Sequence, residues 1–132
     1  MKRYLSALFA LILVAVIGLT SCGASASGLT GNYRDDTLVV LSGLRTAIEL
    51  PQDAPNRVET QQKARQLMND FSALYRRDAS LTKLRSYTTM RTALNGLAGH
   101  YSSYPNRPIP EKLKSRLQLE LNQVESSLSR GL

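Results

Sequence analysis

Tryptophan is absent from these 132 residues, and cysteine and histidine occur once each. A single cysteine excludes an intrachain disulfide, so stability has to come from packing. One imidazole with no thiol or second histidine beside it cannot assemble a usual zinc site. Phenylalanine is nearly as scarce. Phe9 lies in the apolar N-terminal stretch, which leaves Phe71 for a folded core built mostly of leucine and tyrosine. No apolar run reaches the ~20 residues that a membrane-spanning helix needs. Polybasic blocks are missing too, although Lys and Arg outnumber Asp and Glu by 17 to 10. A mild positive excess spread along the chain excludes nucleic acid as the natural partner. It suits an acidic protein surface or anionic headgroups instead.

What is present at the N-terminus reads as an export signal. Lys2 and Arg3 provide the positive start, Leu5 to Ile17 a short apolar stretch, and Gly18 a break followed by small residues. The segment ends Leu19-Thr20-Ser21-Cys22, which looks like a bacterial lipobox. In such a signal the Cys22 thiol takes up diacylglycerol, and the chain is cut just before it. Residues 1–21 are then removed, and Cys22 anchors the protein to a membrane face. One acyl chain binds only marginally, whereas a triacylated cysteine holds firmly. Maturation removes two basic residues and no acidic one, which leaves a charge of +5. Residues 22–32, rich in Gly, Ala and Ser, read as a flexible tether, and residues 33–132 as one domain.

Four stretches of that domain carry apolar residues at helical spacing, and none reads as a strand. The first, from about Tyr33 to Leu50, places Leu38, Leu41, Leu44 and Ile48 on one face. Asp35 and Asp36 favour its N-terminal dipole, and Pro51 and Pro55 stop it. The second runs from Asn56, a candidate cap with Glu59 completing a near capping box, to Arg77. Its stripe is Ala64, Leu67, Phe71, Leu74 and Tyr75. The third starts at a Ser80 cap and carries Leu81, Leu84, Tyr87, Met90, Leu94, Leu97, Tyr101 and Tyr104. The fourth opens with Pro110 in its first turn and Glu111 beside it. It carries Leu113, Leu117, Leu121, Val124 and Leu128, and stops at Gly131. Four such stripes with short links predict an all-α, up-down-up-down four-helix bundle.

Catalytic chemistry finds no foothold. His100 lies beside the inner stripe, and the neighbouring Ser102 and Ser103 carry no elbow motif, so a packed or capping histidine is the expectation. Asp35 and Asp36 are adjacent on a helix with no oxygen-rich loop after them, which is poor ground for a calcium or manganese site. Gly96 and Gly99 each cost helix stability, and a close neighbouring helix would explain both. Two features admit a contact role beside a plain structural one, the first as a solvated helix end and the second as a stiff helix connector. Arg76, Arg77 and Asp78 form a charged corner after Tyr75. Tyr104 to Pro110 holds three prolines around Arg107, a stiff loop that loses little entropy on docking.

Several stretches together resemble a known family. They are Asn32-Tyr33-Arg34-Asp35-Asp36-Thr37, Tyr75-Arg76-Arg77-Asp78, Ser86 to Asn95, Leu97-Ala98-Gly99-His100-Tyr101, and Tyr104-Pro105 through Lys114. They resemble the photosystem II assembly lipoproteins of cyanobacteria (the psb-twenty-seven family), over essentially the whole chain. The resemblance implies a four-helix protein on the lumenal face of the thylakoid membrane, with no enzymatic activity and no cofactor or metal of its own. It implies transient binding to photosystem II intermediates, through the lumenal loops of the smaller core antenna subunit. Extrinsic oxygen-evolving subunits would be kept off until the manganese cluster is built. The expected contact residues are Arg76, Arg77 and Asp78 for carboxylate pairing, with Tyr104 as aromatic anchor and Arg107 beside it, in a chain acting as a monomer. The alternatives are a generic envelope lipoprotein that binds an acidic protein or polymer, a hydrolase with His100 as base, and a manganese-delivering chaperone.

Overall fold

The computed structural model describes residues 27–132, so the signal segment, Cys22 and the first part of the tether lie outside the described residues. Within that span the chain is all helix and connection. Helix α1 is Tyr33–Glu49, α2 Arg57–Tyr75, α3 a single turn Ala79–Thr82, α4 Arg85–Ser103 and α5 Glu111–Ser129. The pairs α1/α2 and α4/α5 pack closely as antiparallel hairpins, and α1 also lies against α5. Ring contacts between Phe71 and Tyr87, and Arg65 reaching Tyr101, bring α2 against α4. This is the expected four-helix bundle, with α3 as an added turn.

That turn corrects the third stretch. Asp78, not Ser80, is the cap: its Oδ1 accepts from the Ser80 N–H at 3.0 Å and from the Ser80 hydroxyl at 2.6 Å. The helix stops after one turn, and Leu84 is extended ahead of α4. The Ser86 N–H, orphaned at the start of α4, is taken by the Leu132 main-chain oxygen at 3.3 Å. Helix α5 ends as expected at Gly131, whose φ of +74° only glycine adopts freely. The Leu132 N–H then returns to the Ser127 carbonyl at 2.9 Å, closing a Schellman motif.

Other local readings shift. Asn56 sits at the cap of α2, but its side chain makes no cap hydrogen bond, and Glu59 pairs with Lys63 at 3.0 Å instead of completing a box. Pro110 occupies the position before α5 rather than its first turn. Leu50 is extended, as a residue before proline must be, and α1 ends there.

The core is leucine, tyrosine and a little methionine. Val40, Met90, Leu97, Leu121 and Val124 are completely buried, and Phe71 is 1% exposed. Leu38 and Leu74, expected inside, are 41% and 44% exposed. The α1 face is instead set by Asp36, Val40, Leu44 and Ile48 at steps of four, joined by Thr37 and Leu41. The α2 face is Ala64, Met68, Phe71 and Tyr75. Each element turns by less than a residue from the expected stripe, enough to carry one leucine outward. Where α1 and α2 cross, a Cβ at Gly43 would overlap Leu67 Cδ1, so glycine allows this approach. A Cβ at Gly96 would come within 2.9 Å of Arg116 Nη2, which fits the expected close approach. Gly99 faces open space, so that explanation does not extend to it.

Candidate functional site

The bundle has two ends, and the residues singled out for contact divide between them. The first end gathers the start of α1, the finish of α2, α3, the start of α4 and the finish of α5. Four aromatic rings hold it: Tyr33, Phe71, Tyr75 and Tyr87, with centroids 5.1–6.2 Å apart. The Tyr33 hydroxyl is 2.7 Å from Ser86 Oγ, joining α1 to α4.

Asp36 is the centre of this end. The sequence suggests that it serves the helix dipole beside Asp35, but its position four residues before Val40 turns it into the core, where it is 1% exposed. Its carboxylate accepts from the Tyr75 hydroxyl at 2.5 Å, the Thr30 N–H at 2.8 Å, the Gly31 N–H at 2.9 Å and the Thr30 hydroxyl at 3.1 Å. Burial pushes the carboxyl pKa up, but these donors favour the charged form more strongly and leave it below the ordinary value. The Tyr75 hydroxyl is pushed well above its usual range, first by burial and then by the Asp36 charge that it serves.

The donors from Thr30 and Gly31 show that the described part of the tether is not loose. Leu29 is 4% exposed within the core cluster. The Ser27 hydroxyl donates to Asp70 at 2.6 Å, with its N–H at 3.3 Å from the same oxygen. Residues 27–32 therefore belong to the folded domain. The expectation of a flexible stretch rests on small residues alone, and Leu29 is the signal it overlooks.

Arg76, Arg77 and Asp78 lie at this same end, all exposed. Asp78 is committed to capping α3, and the hydrogen bonds from Ser80 hold its carboxyl below the usual value. The two arginines are left as an unshielded pair of cations. Arg34, Lys83, Arg85 and Arg130 stand around them on the neighbouring element ends.

The opposite end carries Tyr104 and Arg107. The Tyr104 N–H donates to the His100 carbonyl at 2.8 Å, closing α4, and the Arg107 N–H donates to the Tyr104 carbonyl at 3.2 Å. His100, 7% exposed, places Nε2 at 3.2 Å from the Arg107 carbonyl and packs its ring against Tyr101 and Tyr104. The packed-histidine expectation holds, and the ring supports the loop from beneath. Gln52 reaches across from the α1–α2 linker to the Asn106 carbonyl at 3.3 Å. The Arg107 guanidinium lies 5.6 Å from the Tyr104 ring centre, so the two side chains form one exposed stacked unit. Arg65 does the same on the flank, 5.4 Å from the Tyr101 ring centre, and donates to the Tyr101 carbonyl at 2.8 Å. Burial raises the Tyr101 hydroxyl pKa, against the opposing pull of Arg65.

Beside the loop runs a groove of about 230 Å³ between the two linkers, lined by Leu50, Gln52, Arg57, Arg107, Ile109 and Lys114 among others. Three cations line it together with the carboxylates of Glu49 and Glu111. Sequence reading misses Arg57, Arg65 and Lys114, because only the pairing of linkers across the bundle brings them to the loop. Helix α4 has 19 residues, so the loop and the arginine corner stand about 28 Å apart. They form two separate surfaces. Among the described residues, no group of three or more His, Cys, Asp or Glu could hold a metal ion, and no helix is long and apolar enough to cross a membrane.

The fold defines a small four-helix bundle with a distinct exposed cationic surface at each end. A profile of the family described as Photosystem II Pbs27 matches residues 4–128, and the chain belongs to that family. The Photosystem II lipoprotein Psb27 of Synechocystis sp. is 60% identical over 132 residues, covering 100% of this chain and 98% of the relative. The Photosystem II assembly factor lipoprotein Psb27 of Thermosynechococcus vestitus is 58% identical over 130 residues, covering 98% of this chain and 97% of the relative. A solution structure of Psb27 from cyanobacterial photosystem II, 60% identical, superposes with a TM-score of 0.77 over 82% of this chain and 94% of its own.

Proposed function

We propose that this chain is a photosystem II assembly and repair factor, a non-enzymatic lipoprotein that works as a monomer. The observation that carries this reading is identity of 60%, across the full length, to a relative whose name places it with photosystem II. The chain is anchored by lipid on Cys22 at the lumenal side of the thylakoid membrane. It binds assembly intermediates transiently at the smaller core antenna subunit, and keeps extrinsic subunits away until the manganese cluster is built. An anchor raises the local concentration of binder and target without any stronger contact, so a modest and releasable interface suffices.

The geometry supports Tyr104 and Arg107 as the centre of the protein contact. They are exposed, stacked on each other and propped by His100, so little side-chain freedom is lost on docking. The groove cations Arg57 and Lys114 beside them suit carboxylates on a partner loop. The double variant Tyr104→Ala/Arg107→Glu, with helicity and melting checked, is expected to lose most of the antenna and reaction-centre subunits that the parent co-purifies from thylakoids. Unchanged co-purification would remove this patch from the interface. A parent chain that brings down no photosystem II subunit at all would favour the generic envelope lipoprotein.

A further inference from the structure

We propose that the first end of the bundle faces the membrane and that its arginine corner binds the headgroups of anionic lipids. The inference rests on lipidation of Cys22 as proposed above. It follows from how little chain separates that thiol from folded structure. Because Ser27 is held on Asp70, only five peptide steps connect Cys22 to a fixed point, a reach of at most about 18 Å. Asp70 lies five residues before the finish of α2, so the first end is about 8 Å away along the axis. The start of α2, at the opposite end, is 13 residues away, or about 20 Å. At full stretch the Cys22 thiol passes about 10 Å beyond the first end but falls just short of the other. The Tyr104–Arg107 loop is kept off the bilayer and is available to protein.

The surface at the first end matches that placement. Arg76, Arg77, Lys83 and Arg85 follow one another around the α2–α3–α4 turn, with Arg34 and Arg130 on the adjoining helix ends. Four side-chain carboxylates accompany them, of which three are held by donors of the fold: Asp36 by its buried donors, Asp70 by Ser27 and Asp78 by Ser80. Asp35 and Asp78 are exposed, so six basic side chains face two solvent-facing acidic ones and the surface keeps a positive excess. Leu74 and Leu132, 44% and 42% exposed, add apolar contact at the same end. Cations flanking exposed leucines are the composition of a surface that rests in a headgroup layer. Each basic side chain near an anionic bilayer strengthens binding about fivefold, so even a few of them hold an orientation.

The test uses the lipidated full-length protein in phosphatidylcholine vesicles with and without phosphatidylglycerol. With Cys22 occupied by lipid, Ala79→Cys or Asn106→Cys supplies a unique thiol for a fluorophore, and a quencher sits on lipid headgroups. In phosphatidylglycerol vesicles, the label at position 79 is expected to be quenched several-fold more than the label at 106. Arg76→Glu/Arg77→Glu, or omission of phosphatidylglycerol, is expected to shrink that difference. Equal quenching at the two positions, or a difference indifferent to charge reversal and lipid charge, overturns the proposal. So does a reversed pair that keeps its vesicle orientation while losing photosystem II subunits, because the corner would then be a protein contact. Mass spectrometry of the N-terminal peptide separates the remaining case: a Cys22 without acyl groups ends the lipidation reading itself, and this inference with it.

Discussion

Removing one hydroxyl tests the account of the first end. In Tyr75→Phe the ring keeps its contacts with Tyr33 and Phe71, while the Asp36 carboxylate loses its shortest buried donor. A hydrogen bond to a charged group is worth about 1.5–3 kcal/mol. Taking about 2 kcal/mol, and the 4–8 °C per kcal/mol usual for a domain near this size, the melting temperature should fall by about 10 °C. The pH profile provides the second arm. The pKa of Asp36 is lowered in the folded state, so its contribution is fully present above the unfolded value near 4 and is lost as pH falls through the folded value. Without the Tyr75 hydroxyl, the folded value moves up toward the unfolded one, and this share of acid sensitivity shrinks. Thermal and denaturant melts at neutral pH and at steps below pH 5, read by circular dichroism, measure both effects. A Tyr75→Phe protein within about 0.5 kcal/mol of the parent at neutral pH, the level of an ordinary surface change, would refute the claim that this bond matters.

Three further outcomes are expected. Leu29→Ala should cost about 2 kcal/mol and speed amide exchange at Thr30 and Gly31, because the leucine pins the segment that carries those donors. Gly131→Ala should lower stability by about 1 kcal/mol through the strain of a positive φ, as chemical denaturation would show. Arg45→Ala should change stability by less than about 1 kcal/mol in the same assay, since its pairing with Glu125 at 2.7 Å is between side chains 33% and 52% exposed.

The four long helices, their order and approximate limits were legible because each amphipathic stretch has a clear stop: Pro51, the Asp78 turn, the proline loop and Gly131; the single turn α3 was not. Register within the stripes was less so. Leu38 and Val40 both sit near the buried face of α1, and only the packed neighbours decide that valine goes in and leucine out. The largest gap was Asp36. An acidic residue in a first turn has a sufficient local explanation, and nothing local shows that Tyr75, 39 positions later, will stand opposite it. The loop with Tyr104 and Arg107 was readable from its prolines, whereas its support by His100 and Gln52, and its separation from Arg76 and Arg77, required the folded chain.

Wiring Thr30 and Gly31 into Asp36 makes the durability of the fold depend on a short segment ahead of its first helix. A protease that trims past Gly31 strips two main-chain donors from a buried charge and removes Leu29 from the core. The shaved domain is weakened although all of its helices remain.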